Sequence, residues 1–248
     1  MYNHSHLYMT SKITGSTNPL LLFGSLLPDF HHSQTLPPQF DHQVMQLMQF
    51  LKDKHPDLVP LTLGMTLHEY PIGVDRFIHQ SYKGGPGYAF QFNDQLAQLT
   101  QETLNTDPQT THLLTHFLVE NAIEYKISNQ HPETNDLLLS CRSVDKGHIV
   151  DALSEFYHAD KSTLLKEWEI FDHTAYDYDY SSYLGLGKVW AEVRKRLFNE
   201  TIDPQVIADL IKFASKTIKP TVESFLAETI TACRKDFQYN FPSYKEQI

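Results

Sequence analysis

The chain has 248 residues, of which 41% are hydrophobic, and it carries a formal net charge of −10 with an isoelectric point near 5.7. This length and composition are enough for one large hydrophobic core. The negative charge excludes a general electrostatic attraction to nucleic acid or anionic lipid, so no nucleic-acid partner is expected.

Cysteine usage and hydropathy predict a cytoplasmic protein without integral membrane association. Cys141 and Cys233 are far apart and form no CxxC pattern, which argues against a zinc knuckle or a disulfide framework and favours two reduced thiols. The N-terminal residues lack a basic region followed by an apolar stretch, so no signal peptide is predicted. No apolar run approaches the roughly 20 residues that span a bilayer.

Apolar residues recur at three-and-four spacing along the chain, and alternating apolar and polar runs are scarce. This pattern predicts an all-α fold with a single multi-helical domain over residues 1–248. The expected helices run from about His4 to Thr14, Asn18 to Leu27, Asp41 to Lys54, Pro60 to Tyr82, Asn93 to Leu104, Thr110 to Ser128, Lys146 to Tyr157, Lys161 to Phe171, Ser181 to Phe198, Pro204 to Lys216 and Pro220 to Phe237.

Breaker residues set the expected boundaries. Gly15 should end the first helix, Pro28 and Pro37-Pro38 should bound a loop, and Pro71 with Gly73 should kink or break the helix that begins at Pro60. The Asp172 to Tyr183 stretch is expected to be a polar loop that packs its tyrosines on the core. A calcium loop is the alternative, although the EF-hand glycine and terminal glutamate are missing.

Histidines and carboxylates on one predicted helix face suggest a metal site. His112, His116, Glu120 and Glu124 recur at every fourth residue and therefore form one stripe on the Thr110 to Ser128 helix. A histidine and a glutamate one turn apart can chelate a single ion. The alternative is a solvated polar face that holds helix-stabilising pairs.

A second group surrounds His68. Asp75 follows His68 by seven residues and His79 follows Asp75 by four, so a helix kinked at Pro71 and Gly73 could aim all three at a common point. The alternative is a buried His68 that is hydrogen-bonded to a nearby backbone carbonyl.

Two further candidates lie near the N-terminus. His6 lies at the start of the first predicted helix, with His4 as a competitor on an end expected to fray. Asp29 follows the apolar segment that ends at Pro28, where it could instead be a turn residue or an N-cap.

Three segments resemble the zinc-dependent phospholipase C family. They are Ser5-His6-Leu7-Tyr8-Met9, Gly24-Ser25-Leu26-Leu27-Pro28-Asp29-Phe30 and Leu63-Gly64-Met65-Thr66-Leu67-His68-Glu69-Tyr70. The resemblance covers roughly residues 4 to 125 and implies a phospholipase C-like helical bundle with two or three zinc ions. The remaining residues, 126–248, would be accessory helices.

The resemblance also implies a ligand set for these ions. Asp75 would correspond to the family's metal-bridging carboxylate, although the family's His-x-x-x-Asp spacing is three residues longer here. The implied metal ligands are His6, Asp29, His68, Asp75, His79, His116 and Glu120. The same segments, together with Thr115-His116-Phe117-Leu118, resemble acyl-carrier-protein phosphodiesterases, which are also helical and metal-dependent.

Imidazole and carboxylate ligands suit Zn²⁺, and they also accept Mn²⁺ or iron. Two such ions would lower the pKa of a bridging water towards about 7 and hold the phosphate for in-line attack. Asp29 and Asp75 are the expected catalytic carboxylates, with Asp29 as a ligand or as the base that orients the water. Arg76 and Lys83 could neutralise phosphate charge, or they could be ordinary surface cations.

The sequence therefore predicts a metal-dependent phosphoesterase that hydrolyses a small phosphodiester or phosphomonoester. One alternative is an acyl-carrier-protein or nucleotide phosphohydrolase that uses the same site. The other is a non-catalytic helical binding protein. The substrate and the oligomeric state are not determined by the sequence.

Overall fold

The computed structural model describes residues 3–32, 43–69 and 72–246. The helices in these ranges pack as a single domain, which confirms the predicted all-α class. No strand occurs among the described residues, where the one pairing is an isolated bridge between Tyr82 and Gly85. No described helix is long and apolar enough to cross a membrane.

The helices are numbered in chain order. The N-terminal half contains α1 (Asn3–Thr14), α2 (Pro19–Gly24), α3 (Val44–Lys54), α4 (Val59–His68), α5 (Asn93–Leu104) and α6 (Pro108–Gln130). The C-terminal half contains α7 (Glu133–Ser140), α8 (Lys146–Tyr157), α9 (Lys161–Tyr176), α10 (Tyr183–Phe198), α11 (Pro204–Ile218) and α12 (Val222–Asn240). Two short elements matter for the site, a 3-10 turn at Leu27–His32 and a π-helical turn at Arg76–Gln80.

Local sequence signals explain where many of these helices begin. The side chain of Asn18 accepts hydrogen bonds from the backbone N–H groups of Leu20 and Leu21, and Pro19 occupies the first turn of α2. Asp107 and Pro108 repeat this arrangement at the start of α6. The same type of polar cap begins four later helices, through Asp145, Asp160, Ser182 and Asp203. Such caps satisfy backbone donors that have no partner inside the helix.

The structure corrects several predicted boundaries. The helix expected from Pro60 to Tyr82 ends at His68, and the chain returns through turns before the π-helical turn. Helix α7 was not predicted. Helix α9 continues to Tyr176, so the loop expected from Asp172 is shorter, although Tyr180 is buried as expected.

Three predictions fall where the structure gives no description. The N-cap at Asp41, the loop at Pro37-Pro38 and the kink at Pro71 all lie outside the described residues. The division into a site region up to residue 125 and accessory helices after it also remains a prediction.

Helices α1 and α4 lie between two clusters of buried apolar side chains. On α1, Leu7 belongs to one cluster and Met9 to the other; on α4, Leu61 and Leu63 divide in the same way. Every residue of α4 is buried. Polar side chains on these two helices are therefore held in an apolar interior, where each needs a partner.

Helices α2 and α4 touch through their backbones at Gly24 and Gly64. A Cβ atom added to Gly24 would lie 2.0 Å from the carbonyl oxygen of Leu61, and one added to Gly64 would lie 2.0 Å from that of Leu21. Only glycine permits this approach. The contact brings the end of α2, and the turn that follows it, alongside the last turn of α4.

We expect Gly64→Ala to destabilise the fold, because the added methyl group would push α2 away from α4. Overpacking of this kind costs about 1–3 kcal/mol, and backbone atoms cannot move aside as a side chain can. Urea denaturation should show this loss in the free energy of unfolding.

Gly147→Ala is the matched control. Gly147 is exposed in the first turn of α8, and a Cβ there would meet no atom closer than 3.5 Å. This substitution should be neutral or should stabilise the protein by up to about 1 kcal/mol, because alanine favours the helix. Equal stability of the two variants would contradict the proposed role of the α2–α4 contact.

Candidate metal centre

Four predicted site residues meet beside the ends of α2 and α4. The Nε2 atom of His68 lies 3.3 Å from Oδ2 of Asp75 and 3.6 Å from Oδ1 of Asp29. The ring of His6, on α1, stacks on the ring of His68 with 3.9 Å between centroids, and its Nε2 lies 3.8 Å from Oδ2 of Asp29. We call His6, His68 and Asp75 the inner triad, because one atom of each could ligate a common ion.

A hydrogen bond fixes the orientation of His68. Its Nδ1 lies 2.7 Å from the backbone carbonyl oxygen of Ser25, so Nδ1 carries the proton and Nε2 faces Asp29 and Asp75. Such a bond, from a buried His68 to a nearby backbone carbonyl, is the alternative to metal binding that the sequence left open. The two interpretations are compatible, because metal-binding histidines commonly donate their second nitrogen to such an acceptor.

Asp75 reaches His68 because the chain turns back tightly after α4. The backbone N–H of Val74 donates to the carbonyl of Leu67, and that of Gly73 donates to Glu69. A Cβ at Gly73 would lie 2.4 Å from the backbone of His68, so the turn requires glycine. The seven-residue separation is therefore closed by a reversal of the chain after α4 ends at His68, where the sequence predicted a kinked helix that continues.

The remaining three predicted residues form a second group, which we call the outer triad: His79, His116 and Glu120. His79 lies in the π-helical turn, and its Nε2 is 2.5 Å from Oε1 of Glu120. The rings of His79 and His116 are perpendicular, with 5.4 Å between centroids. The outer triad reaches solvent through His79, whose side chain is 33% exposed.

Asp75 connects the two triads. The same oxygen, Oδ2, faces Nε2 of His68 at 3.3 Å and Nδ1 of His79 at 3.8 Å. One carboxylate between two groups of ligands is the arrangement that a dinuclear site requires. The structure thus brings all seven predicted residues into one chain of contacts.

Several polar atoms of the site are buried without a hydrogen-bond partner among the described residues. These include both ring nitrogens of His6 and the Oδ1 atom of Asp75. A buried polar atom without a partner costs about 1–3 kcal/mol. A cation coordinated by Asp75 and by one ring nitrogen of His6 would remove part of that cost, so the donor set fits a metal ion.

The electrostatics of the site support this interpretation. Burial and then the neighbouring charge of His68 hold the pKa of His6 well below its ordinary value. Burial by itself would lower the pKa of His68, but the Asp75 and Asp29 carboxylates outweigh it and raise the pKa to about 9. Burial would raise the pKa of Asp75, but the charge of His68 keeps it below its ordinary value. Protonated His68 therefore supplies the positive charge beside Asp75 and Asp29 that a bound cation could supply instead.

Other candidate residues lie outside the triads. His4 was expected on a frayed helix end, but it is buried, with its ring bonded to Glu124 and Asn135. His112 is exposed and stacks on Phe90. The solvated polar face considered for α6 is therefore wrong beyond His112, since His116, Glu120 and Glu124 are all buried.

The two candidate phosphate-binding cations are paired with carboxylates of α12. Arg76 lies 2.7 Å from Oδ2 of Asp236, and Lys83 lies 2.9 Å from Oε1 of Glu228. Their positive charges are directed to α12, which agrees with the interpretation of surface cations.

Sequence reasoning missed two contributors to the site. The carbonyl of Ser25 acts through the backbone, so its side-chain identity carries no signal. Glu124 belongs to the recognised stripe on α6, but it contacts α1 and neither triad.

Comparison with protein-family models, with curated proteins and with solved structures finds no match to this chain. The resemblance to zinc-dependent phospholipases C therefore depends on the quoted motifs alone.

We expect protein purified without a metal-chelating column to contain zinc, manganese or iron at two equivalents or more, measured by elemental mass spectrometry. His68→Ala should lose metal from the inner triad, and His116→Ala should lose metal from the outer triad. His112→Ala is the control, because His112 lies on the same helix, one turn from His116, but is exposed. Substoichiometric metal that is unchanged in His68→Ala would make His68 a structural residue.

Metal binding should release protons. At pH 7.5 the raised pKa of His68, about 9, keeps its ring protonated in the metal-free protein, whereas a ligand nitrogen must be neutral. Calorimetric titration of chelator-treated protein with Zn²⁺, in buffers of different ionisation enthalpy, should report release of about one proton from this group. The contribution of His68 should disappear as the pH rises through about 9, which leaves only protons lost by metal-bound water. Binding without proton release at pH 7.5 would contradict this assignment.

Proposed function

We propose that this chain is a metal-dependent phosphoesterase that hydrolyses a small phosphodiester or phosphomonoester. The observation that carries the proposal is the pair of His-His-carboxylate triads connected by Asp75. Zn²⁺ is the proposed metal, with Mn²⁺ or iron as the other ions that such ligands accept. Bound ions would polarise the phosphate ester and make water a nucleophile near neutral pH.

Each residue has a distinct proposed task. His6 and His68 hold the ion of the inner triad, and the Ser25 carbonyl keeps His68 in the required tautomer. His79, His116 and Glu120 hold the ion of the outer triad. Asp75 fixes the separation of the two groups.

Asp29 is the proposed general base. Its carboxylate touches both histidines of the inner triad, and its side chain is 21% exposed, so it is open to water. A carboxylate at this boundary can act as a ligand or can orient a water molecule and accept its proton.

Burial defines the direction from which a substrate would enter. The side chains of His6, His68 and Glu120 are almost fully buried and form the floor of the site. Solvent reaches it beside His79, Asp75 and Asp29.

The charge distribution favours a small substrate. Arg76 and Lys83 are paired with α12, and the whole chain is acidic. The charge of a phosphate group would therefore be met chiefly by the metal ions, and a polyanion would be disfavoured by the net negative charge of the chain.

We expect alanine substitution of His68 or His116 to reduce turnover by at least about 100-fold. Loss of a residue that only hydrogen-bonds to a metal ligand already lowers activity by about 10- to 100-fold, and loss of a ligand should have a larger effect. The assay uses bis(p-nitrophenyl) phosphate and p-nitrophenyl phosphate with chelator-treated protein resupplied with Zn²⁺, Mn²⁺ or Fe²⁺. His112→Ala should retain the wild-type rate. Circular dichroism checks that the variants fold.

Three results would change the proposal. An unchanged rate in folded His68→Ala would exclude the site as the source of the activity. Hydrolysis of acyl-carrier-protein or nucleotide esters, with none of the simple esters, would favour the related phosphohydrolases. Absence of both bound metal and turnover would favour the non-catalytic binding protein.

A further inference from the structure

Glu124 is a fully buried carboxylate that lies on the helix of the outer triad and yet contacts neither triad. It follows Glu120 by one turn of α6 and is 0% exposed. Its two oxygens are turned to the first turn of α1, more than a hundred residues away in the sequence.

Four hydrogen bonds join this carboxylate to α1. Oε1 accepts from the backbone N–H of His4 at 2.8 Å and is 2.9 Å from Nδ1 of the same residue. Oε2 accepts from the backbone N–H of Ser5 at 2.9 Å and from its hydroxyl at 2.5 Å. Both oxygens therefore bind a backbone donor and a side chain.

The first N–H groups of a helix have no partner within it, and their exposed dipoles favour a negative charge. Because the start of α1 is buried, water cannot satisfy these donors, and Glu124 does so. His4 extends the contact, since its Nε2 lies 3.0 Å from Oδ1 of Asn135 on α7.

His6 follows directly after the two residues that Glu124 binds. Its ring makes no hydrogen bond to a described residue, so its position depends on the backbone of α1 and on stacking against His68. Helix α6 therefore supplies two ligands to the outer triad and, one turn later, the group that fixes the helix of the inner triad.

We propose that Glu124 is a positioning residue that sets the place of His6 and thereby the metal affinity of the inner triad. This inference rests on the proposed metal-dependent function. It predicts that disturbing Glu124 weakens binding of the ion at the inner triad and leaves the ion at the outer triad in place, although the hydrogen bonds of the Glu124 carboxylate go to His4 and Ser5.

The test is Co²⁺ binding to the chelator-treated full chain, followed by visible absorption. His68→Ala and His116→Ala identify the spectral components of the inner and outer triads. Glu124→Gln keeps the size of the side chain but places an amide NH₂ against one of the two backbone donors. We expect it to weaken Co²⁺ binding at the inner triad by about 10- to 100-fold and to leave the outer triad unchanged.

Two variants complete the experiment. Ser5→Ala removes one of the four hydrogen bonds and keeps the carboxylate, so it should cause a smaller shift in the same ion and carries the test if Glu124→Gln does not fold. Thr111→Ala is the matched control, because Thr111 is also a buried polar residue of α6, but its hydroxyl bonds to Thr106 and to the backbone carbonyl of Asp107 at the start of the same helix. It should alter neither ion.

Equal weakening of both ions in Glu124→Gln, or wild-type binding of both, would overturn the positioning role and leave the phosphoesterase proposal intact. Absence of Co²⁺ binding to the wild-type protein would overturn the metal function, and this inference with it.

Discussion

The arrangement of the site depends on the hydrogen bond from His68 to the carbonyl of Ser25. This bond joins the ends of α2 and α4, which lie close enough only because glycine occupies positions 24 and 64. Once His68 is held in this way, its free nitrogen faces the turn that carries Asp29 and the reversal that carries Asp75. The glycines and the ligands in these motifs therefore act together. Close packing of the α2 and α4 backbones at Gly24 and Gly64 positions the imidazole of His68.

Burial explains why this construction suits a cation. The two histidines of the inner triad lie on helices that contact both apolar clusters and are buried, and the carboxylates of Asp75 and Asp29 beside them are only partly exposed. Taking charges out of water is unfavourable unless opposite charges or ligands compensate. Without a metal ion, protonation of His68 provides that compensation, and two nitrogens of His6 still have no hydrogen-bond partner among the described residues. A divalent cation would compensate the carboxylates and could take one of these nitrogens as a ligand.

Local signals in the sequence were sufficient for much of the fold. Apolar periodicity placed most helices, and Asn18-Pro19 and Gly15 marked true boundaries, because caps and breakers act over a few residues. The site residues were recognisable as polar side chains beside apolar runs. Their contacts were not, because the reversal at Gly73 and the Ser25 carbonyl depend on backbone approach between distant segments. Helix α7 was missed because its short sequence shows little apolar periodicity.

Helix α1 shows that the features missed by sequence analysis depend on contacts between residues far apart in the chain. Glu124 binds its first turn, and at its other end the guanidinium of Arg234 donates to the carbonyls of Lys12 and Ile13. A carboxylate at the N-terminus and a cation at the C-terminus both match the helix dipole. Neither partner is near α1 in the sequence, so no local pattern could reveal them.

Arg234 lies on α12, the helix whose Asp236 and Glu228 also pair with Arg76 and Lys83 around the π-helical turn. These pairs are partly exposed, so each adds little to stability on its own. Their common feature is location: α12 contacts both the helix that carries His6 and the segment that carries Asp75 and His79. Helix α12 thus connects α1, which carries His6, to the segment that carries Asp75 and His79. These two segments must keep their relative positions for Asp75 to lie between the triads. A helix outside the recognised motifs therefore contributes directly to the structure of the site.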